Sequence, residues 1–111
     1  MRKDPIIFLN HINDAIELIN KFTEGFTKAK FLADKLVQSA VVRQIEIIGE
    51  ATKNLPRPFK SAHPEAPWKD IAGMRDKLVH HYFGVDLNYV WGVIKDELPH
   101  LQQQIQHFLR E

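Results

Sequence analysis

The sequence contains no cysteine. Disulfides, thiolate nucleophiles and cysteine-ligated zinc are therefore excluded. It also lacks any apolar run approaching the roughly 20 residues that cross a bilayer. Asp4, Pro5 and Asn10 interrupt the N-terminal stretch MRKDPIIFLN, so no export signal is expected. An excess of one charge is missing too: 15 Lys and Arg against 14 Asp and Glu leave a net charge of +1. Such a chain is not a nucleic-acid binder coated in lysine, and any contact with nucleic acid has to come from a local site. There is no glycine-rich phosphate loop and no H-E-x-x-H pair, and His11, His63, His100 and His107 are scattered. Neither a cofactor nor a metal is expected.

What is present fits a soluble, cytoplasmic protein with no membrane association. The chain has 111 residues, 44% of them hydrophobic and 26% charged, and residues 1–111 are expected to form one domain. Helices are expected almost throughout. Asp4 and Pro5 make a cap and first residue for a helix bearing Leu9, Ile12, Ile16 and Ile19, which Gly25 stops. A short helix follows Thr27. Asp34 caps a long one to about Asn54, with Val37, Val41, Ile45, Ile48 and Ala51 on one stripe and Ser39, Arg43, Glu46 and Glu50 on the other side. The four prolines of LPRPFKSAHPEAPW predict a stiff connector with at most a helical turn. Pro67 then opens a helix from Trp68 to about Phe83, ended by Gly84. Asp86 caps the last helix, which Pro99 should kink. The sum is an all-α bundle of about four long helices plus a short one.

The polar cluster RDKLVHHY, residues 75–82, is either chemistry or the polar side of a packed helix. On a helical wheel of about 100° per residue, Trp68, Ile71, Met74, Leu78, Val79, Tyr82 and Phe83 share one arc, with Arg75 near its middle. A guanidinium stays charged, so Arg75 requires an acid, water or a ligand anion. Glu46 and Glu50 are candidate partners. His80 lies about 140° away, beside Lys69, Gly73 and Asp76, so on a straight helix Arg75 and His80 of one chain do not face one spot. Either the helix deforms or a second copy supplies one of them. Gly73, on the His80 side, would admit a close neighbour, which favours a symmetric dimer with the site at its interface. Plainer roles stay open at this point: an ion pair for Arg75, a surface hydrogen bond between Asp76 and His80, a solvated His81, and a core ring for Tyr82.

Arg75, His80 and Tyr82 together spell R-x4-H-x-Y, which resembles the signature of HepT-like toxins in the HEPN superfamily of all-helical ribonucleases. RQIEIIGEATKNL, from Arg43 to Leu55, is similar to the family's central helix. HPEAPWKDIAGMRDKLVHHYFGVDLNYVW is similar to the segment after it, so the likeness covers nearly the whole chain. It implies an HEPN-like bundle and a metal-independent endoribonuclease, the toxin of a toxin–antitoxin pair, cutting RNA at a homodimer interface. His80 would be the general acid/base and Arg75 the phosphate binder, with Asp76 and His81 in support. Arg43, Glu46 and Glu50 would line the cleft. Tyr82 would accept AMP from a small nucleotidyltransferase antitoxin. The alternative implied is a non-catalytic module that binds a nucleotide or that partner.

Overall fold

The computed structural model describes residues 4–78 and 85–111. It is all-α, with no strand among the described residues. Capping residues set the element starts. The Asp4 carboxylate accepts from the Ile6 N–H at 3.0 Å and opens α1 (Pro5–Phe22). The Thr27 hydroxyl accepts from Lys30 N–H and starts α2 (Lys28–Ala33). Asp34 accepts from Val37 N–H and starts α3 (Lys35–Asn54). Each bond satisfies one of the orphan donors of a first helical turn. Gly25, at φ +74°, lets the chain turn between α1 and α2, a region that side chains disfavour.

The core lies where α1 meets α3. Ile12, Ile16 and Ile19 pack with Val41, Ile45 and Ile48, and all six are fully buried. Each such isoleucine contributes about 2 kcal/mol relative to exposure. Thr52 is buried among them without loss, because its hydroxyl donates to the Ile48 carbonyl at 2.8 Å.

Three elements differ from expectation. The proline-rich connector holds a six-residue helix, α4 (Arg57–Ala62), whose first turn tolerates Pro58 because that N–H needs no partner. The helix expected from Trp68 onward is interrupted at Gly73, giving α5 (Trp68–Ala72) and α6 (Met74–Leu78), with Gly73 at ψ 0°. In α6 only Met74 and Leu78 are buried, and Arg75 points outward with 56% of its side chain exposed. Trp68, Ile71, Met74 and Leu78 of the expected arc are buried, but the inward position drawn for Arg75 is corrected, since it does not face the core. Within one chain, no atom of another element comes within 4 Å of where a Gly73 Cβ would stand. A side chain there would meet only the Lys69 and Asp70 carbonyls of its own helix. The glycine that does admit a close neighbour is Gly49, whose missing Cβ would stand 3.4 Å from the Ala72 carbonyl oxygen. The end expected for this helix, Phe83 and Gly84, lies outside the described residues.

The Asp86 carboxylate accepts from Tyr89 N–H and opens α7 (Leu87–Gly92). A π-type segment, Val93–Glu97, follows and runs into α8 (Leu98–Leu109). Pro99 has no N–H for the Lys95 carbonyl, and its ring crowds that turn. The chain responds by widening, and the Leu98 N–H reaches back to the Val93 carbonyl, one residue farther than in an α-helix. The irregularity expected at Pro99 takes this form. Leu98, Leu101, Ile105 and Phe108 of α8 close the core against α1. Among the described residues, no helix is long and apolar enough to cross a membrane.

His63 ties α4 to the end of α8. Its ring stacks on Phe59 at 4.2 Å and meets Phe108 at 4.6 Å. Nδ1 lies 2.9 Å from the Phe59 carbonyl oxygen and Nε2 lies 2.8 Å from Glu111 Oε1. Two acceptors demand two donors, so the imidazolium satisfies both and the neutral ring only one. The Phe59 hydrogen bond, then that to Glu111, raise the His63 pKa above its ordinary 6.5, partly opposed by burial. A raised folded pKa stabilises fully below the unfolded value and loses that effect as pH climbs through the folded one. The melting-temperature gap between wild type and His63→Gln should therefore shrink from about pH 6 to about pH 8. A gap that widens with pH would contradict the assignment.

Candidate functional site

Helices α1, α3 and α6 enclose an open groove of about 480 Å³. From α3 come Arg43, Glu46 and Glu50, the polar strip singled out in the sequence, with Ile47 and Ala51 as apolar floor and Lys53 and Asn54 farther along. Arg75 enters from α6 across the close α3–α5 contact. Phe8 and His11 form the α1 wall. Four of the residues singled out in the sequence thus share one surface, Arg43, Glu46 and Glu50 from α3 and Arg75 from 29 residues beyond Glu46.

The main polar contact is between Arg75 and Glu46. Arg75 Nε donates to Glu46 Oε2 at 3.1 Å, with Glu46 about one-third exposed. Of the two partners considered for Arg75, Glu46 is therefore the one it meets. The geometry matters more than the energy, since an exposed pair contributes only about 0 to 1 kcal/mol. Because Nε makes the bond, the terminal nitrogens of the guanidinium fork take no acceptor among the described residues. Arg43 and Lys53 have no carboxylate partner among the described residues either. The groove can hold an anion with a planar, oriented donor set.

Asp76 is exposed on α6 and makes no hydrogen bond among the described residues. His80, His81 and Tyr82 lie outside the described residues. Phe8 and His11 were not picked out by sequence reasoning. The available signal was their i, i+3 spacing beside the buried Leu9–Ile12 stripe, which puts both rings on one flank of α1.

A second hollow, of about 320 Å³, lies between α5–α6 and the π segment. Asp70, Asp96 and Glu97 line it beside Lys77, His100 and Tyr89. Burial first, then Glu97 and Asp70, push the Tyr89 phenol above its ordinary pKa. Three carboxylates repel a polyanion, so this hollow is unsuited to nucleic acid, whereas the cations of the groove attract one.

The family model described as "Ribonuclease HepT-like" matches residues 12–108. A Thermococcus cleftensis protein named "Probable ribonuclease HepT" is 49% identical over 102 residues, covering 92% of this chain and 93% of its own length. A Methanocaldococcus jannaschii protein named "Gamma-glutamylcyclotransferase and putative RNase" is 49% identical over all 111 residues. The chain spans half the length of that relative. No solved structure matches.

The exposure of the Arg75–Glu46 pair gives a direct expectation. Arg75→Ala and Glu46→Gln should each change unfolding free energy by no more than about 1 kcal/mol. Denaturant unfolding of both variants checks this. A loss of about 3 kcal/mol, the mark of a broken buried pair, would contradict a pair that orients rather than stabilises.

Proposed function

The chain belongs to the HepT-like ribonuclease family, and from that premise we propose that it is a metal-independent endoribonuclease using the α1–α3–α6 groove. The observation that carries this reading is Arg75, anchored to Glu46 through Nε with its terminal donors open to the groove. In this role Arg75 binds the scissile phosphate and offsets the charge that grows as the phosphorus is attacked. The attacking group is the RNA's own 2′-hydroxyl. Its oxygen bonds to phosphorus, the bond to the 5′-oxygen breaks, and a 2′,3′-cyclic phosphate and a 5′-hydroxyl result. Histidine side chains ordinarily titrate near neutrality, and His80 is assigned to move the proton from the 2′-hydroxyl or to the leaving oxygen. Asp76 and His81 support the pair, and Arg43, Glu46 and Glu50 line the cleft.

A second copy completes the site in this account. On a helical wheel five positions correspond to a rotation of about 140°, which is the reason for proposing that Arg75 and His80 act together across a homodimer interface. Ile6 and Ile7, each about half exposed in the first turn of α1 next to Phe8, supply apolar area for such a contact. The protein would be a cytoplasmic toxin of a toxin–antitoxin pair. Its antitoxin, a nucleotidyltransferase, would join the Tyr82 phenol oxygen to the α-phosphorus of ATP and release pyrophosphate. The AMP group brings bulk and negative charge beside Arg75, which excludes RNA phosphate.

Purified protein in excess chelator should cleave single-stranded RNA to cyclic-phosphate ends. Arg75→Ala and His80→Ala should each lower the rate by roughly 10²-fold or more. Mixing the two inactive variants should restore part of the activity if the residues come from different copies. Unchanged cleavage in both variants would sink the assignment, and binding without cleavage by the wild type would instead favour a non-catalytic nucleotide-binding module. With the partner and ATP, intact mass should rise by AMP in wild type and stay fixed in Tyr82→Phe. A rise that survives this substitution would remove Tyr82 as acceptor.

A further inference from the structure

The phosphate chemistry assigned to Arg75 leaves one wall of the groove unused. Phe8 and His11 stand one turn apart on α1, their ring centroids 6.2 Å apart and their planes at 88°. Phe8 is half-buried against the core, which fixes it in place. His11 is exposed, and among the described residues its imidazole makes no hydrogen bond or ion pair. Below the rings lies the apolar floor of Ile47 and Ala51, and beside them Arg43 and Lys53 carry charge unpaired among the described residues. The exposed His11 ring, set perpendicular to Phe8 and next to cations, is the complement of a nucleotide, with a ring to stack and a phosphate to neutralise. The groove volume of about 480 Å³ falls within the range of ligand sites, about 300 to 1,000 Å³.

We propose that the α1 wall is a base-stacking subsite, which holds the base of one unpaired RNA nucleotide against the His11 ring, braced by Phe8 in a T-shaped contact, while Arg43 and Lys53 take its phosphate toward Arg75. The proposal rests on the groove being the RNA site and adds what that reading lacks, a source of selectivity. Arg75 alone does not distinguish single-stranded from duplex RNA, because both present phosphates. A stacking wall does, since a base locked in a helix has no free face to offer. The subsite therefore makes this protein a reader of single-stranded segments with little preference among bases.

The test uses the full chain and a fluorescein-labelled single-stranded dodecamer of 2′-O-methyl RNA, which cannot be cleaved because its 2′-oxygen is blocked. Anisotropy should show binding weakened roughly tenfold by His11→Ala and held within about twofold by His11→Phe, since stacking needs only an aromatic face. On cleavable RNA, His11→Ala should raise KM and leave kcat nearly unchanged. The duplex form of the dodecamer should bind wild type and His11→Ala alike. Unaltered binding by His11→Ala, with Arg75→Ala weakened, would overturn the stacking subsite and leave the phosphate site standing. An equal loss in His11→Phe and His11→Ala would also overturn it. Wild type that neither binds the oligomer nor cleaves RNA would remove the groove as the RNA site, and the subsite with it.

Discussion

The missing side chain at Gly49 sets the distance between α3 and α5, and the rest of the groove follows from that distance. With the Ala72 carbonyl oxygen 3.4 Å from where a Cβ would stand, the two backbones are already in contact. A larger residue would push α5 outward, and α6 with it. Glu46 and Gly49 lie one turn apart on α3, so the same close approach brings Arg75 within 3.1 Å of the Glu46 carboxylate. A helix packing constraint is in this way converted into the orientation of a guanidinium.

That orientation gives the protein a local charge pattern its composition hides. The net charge is +1, yet Arg43, Lys53 and Arg75 outweigh Glu46 and Glu50 in one groove, while Asp70, Asp96 and Glu97 outweigh Lys77 in the hollow beyond α5–α6. An RNA approaching this surface meets attraction on one side and repulsion on the other.

Features set by neighbouring residues were legible in the sequence. Asp4, Thr27, Asp34 and Asp86 cap where they were expected to, because a cap depends on three or four adjacent positions. The stripes of α1 and α3 were equally clear, since burial follows the helical period. Arg75 was misplaced because the wheel sets it among the apolar positions, and the letters do not show that it turns outward to Glu46 on α3 while Met74 and Leu78 are buried. Gly49 and His11 escaped notice for another reason. Their roles exist only after α3 meets α5 and α1, contacts between segments more than 20 residues apart that a local reading does not contain. The R-x4-H-x-Y pattern identified the family, while the α1 wall of the groove emerged from the fold alone.

The central claim is that RNA lies in the groove beneath α1 with its phosphate at Arg75. Photocrosslinking tests it most directly. A single-stranded RNA carrying 4-thiouridine is irradiated with the protein, and the attached peptides are mapped by mass spectrometry. The account predicts crosslinks in the first turns of α1 and the second half of α3, reduced by Arg75→Ala. Crosslinks concentrated instead on the π segment and α8, around the acidic hollow, would contradict it.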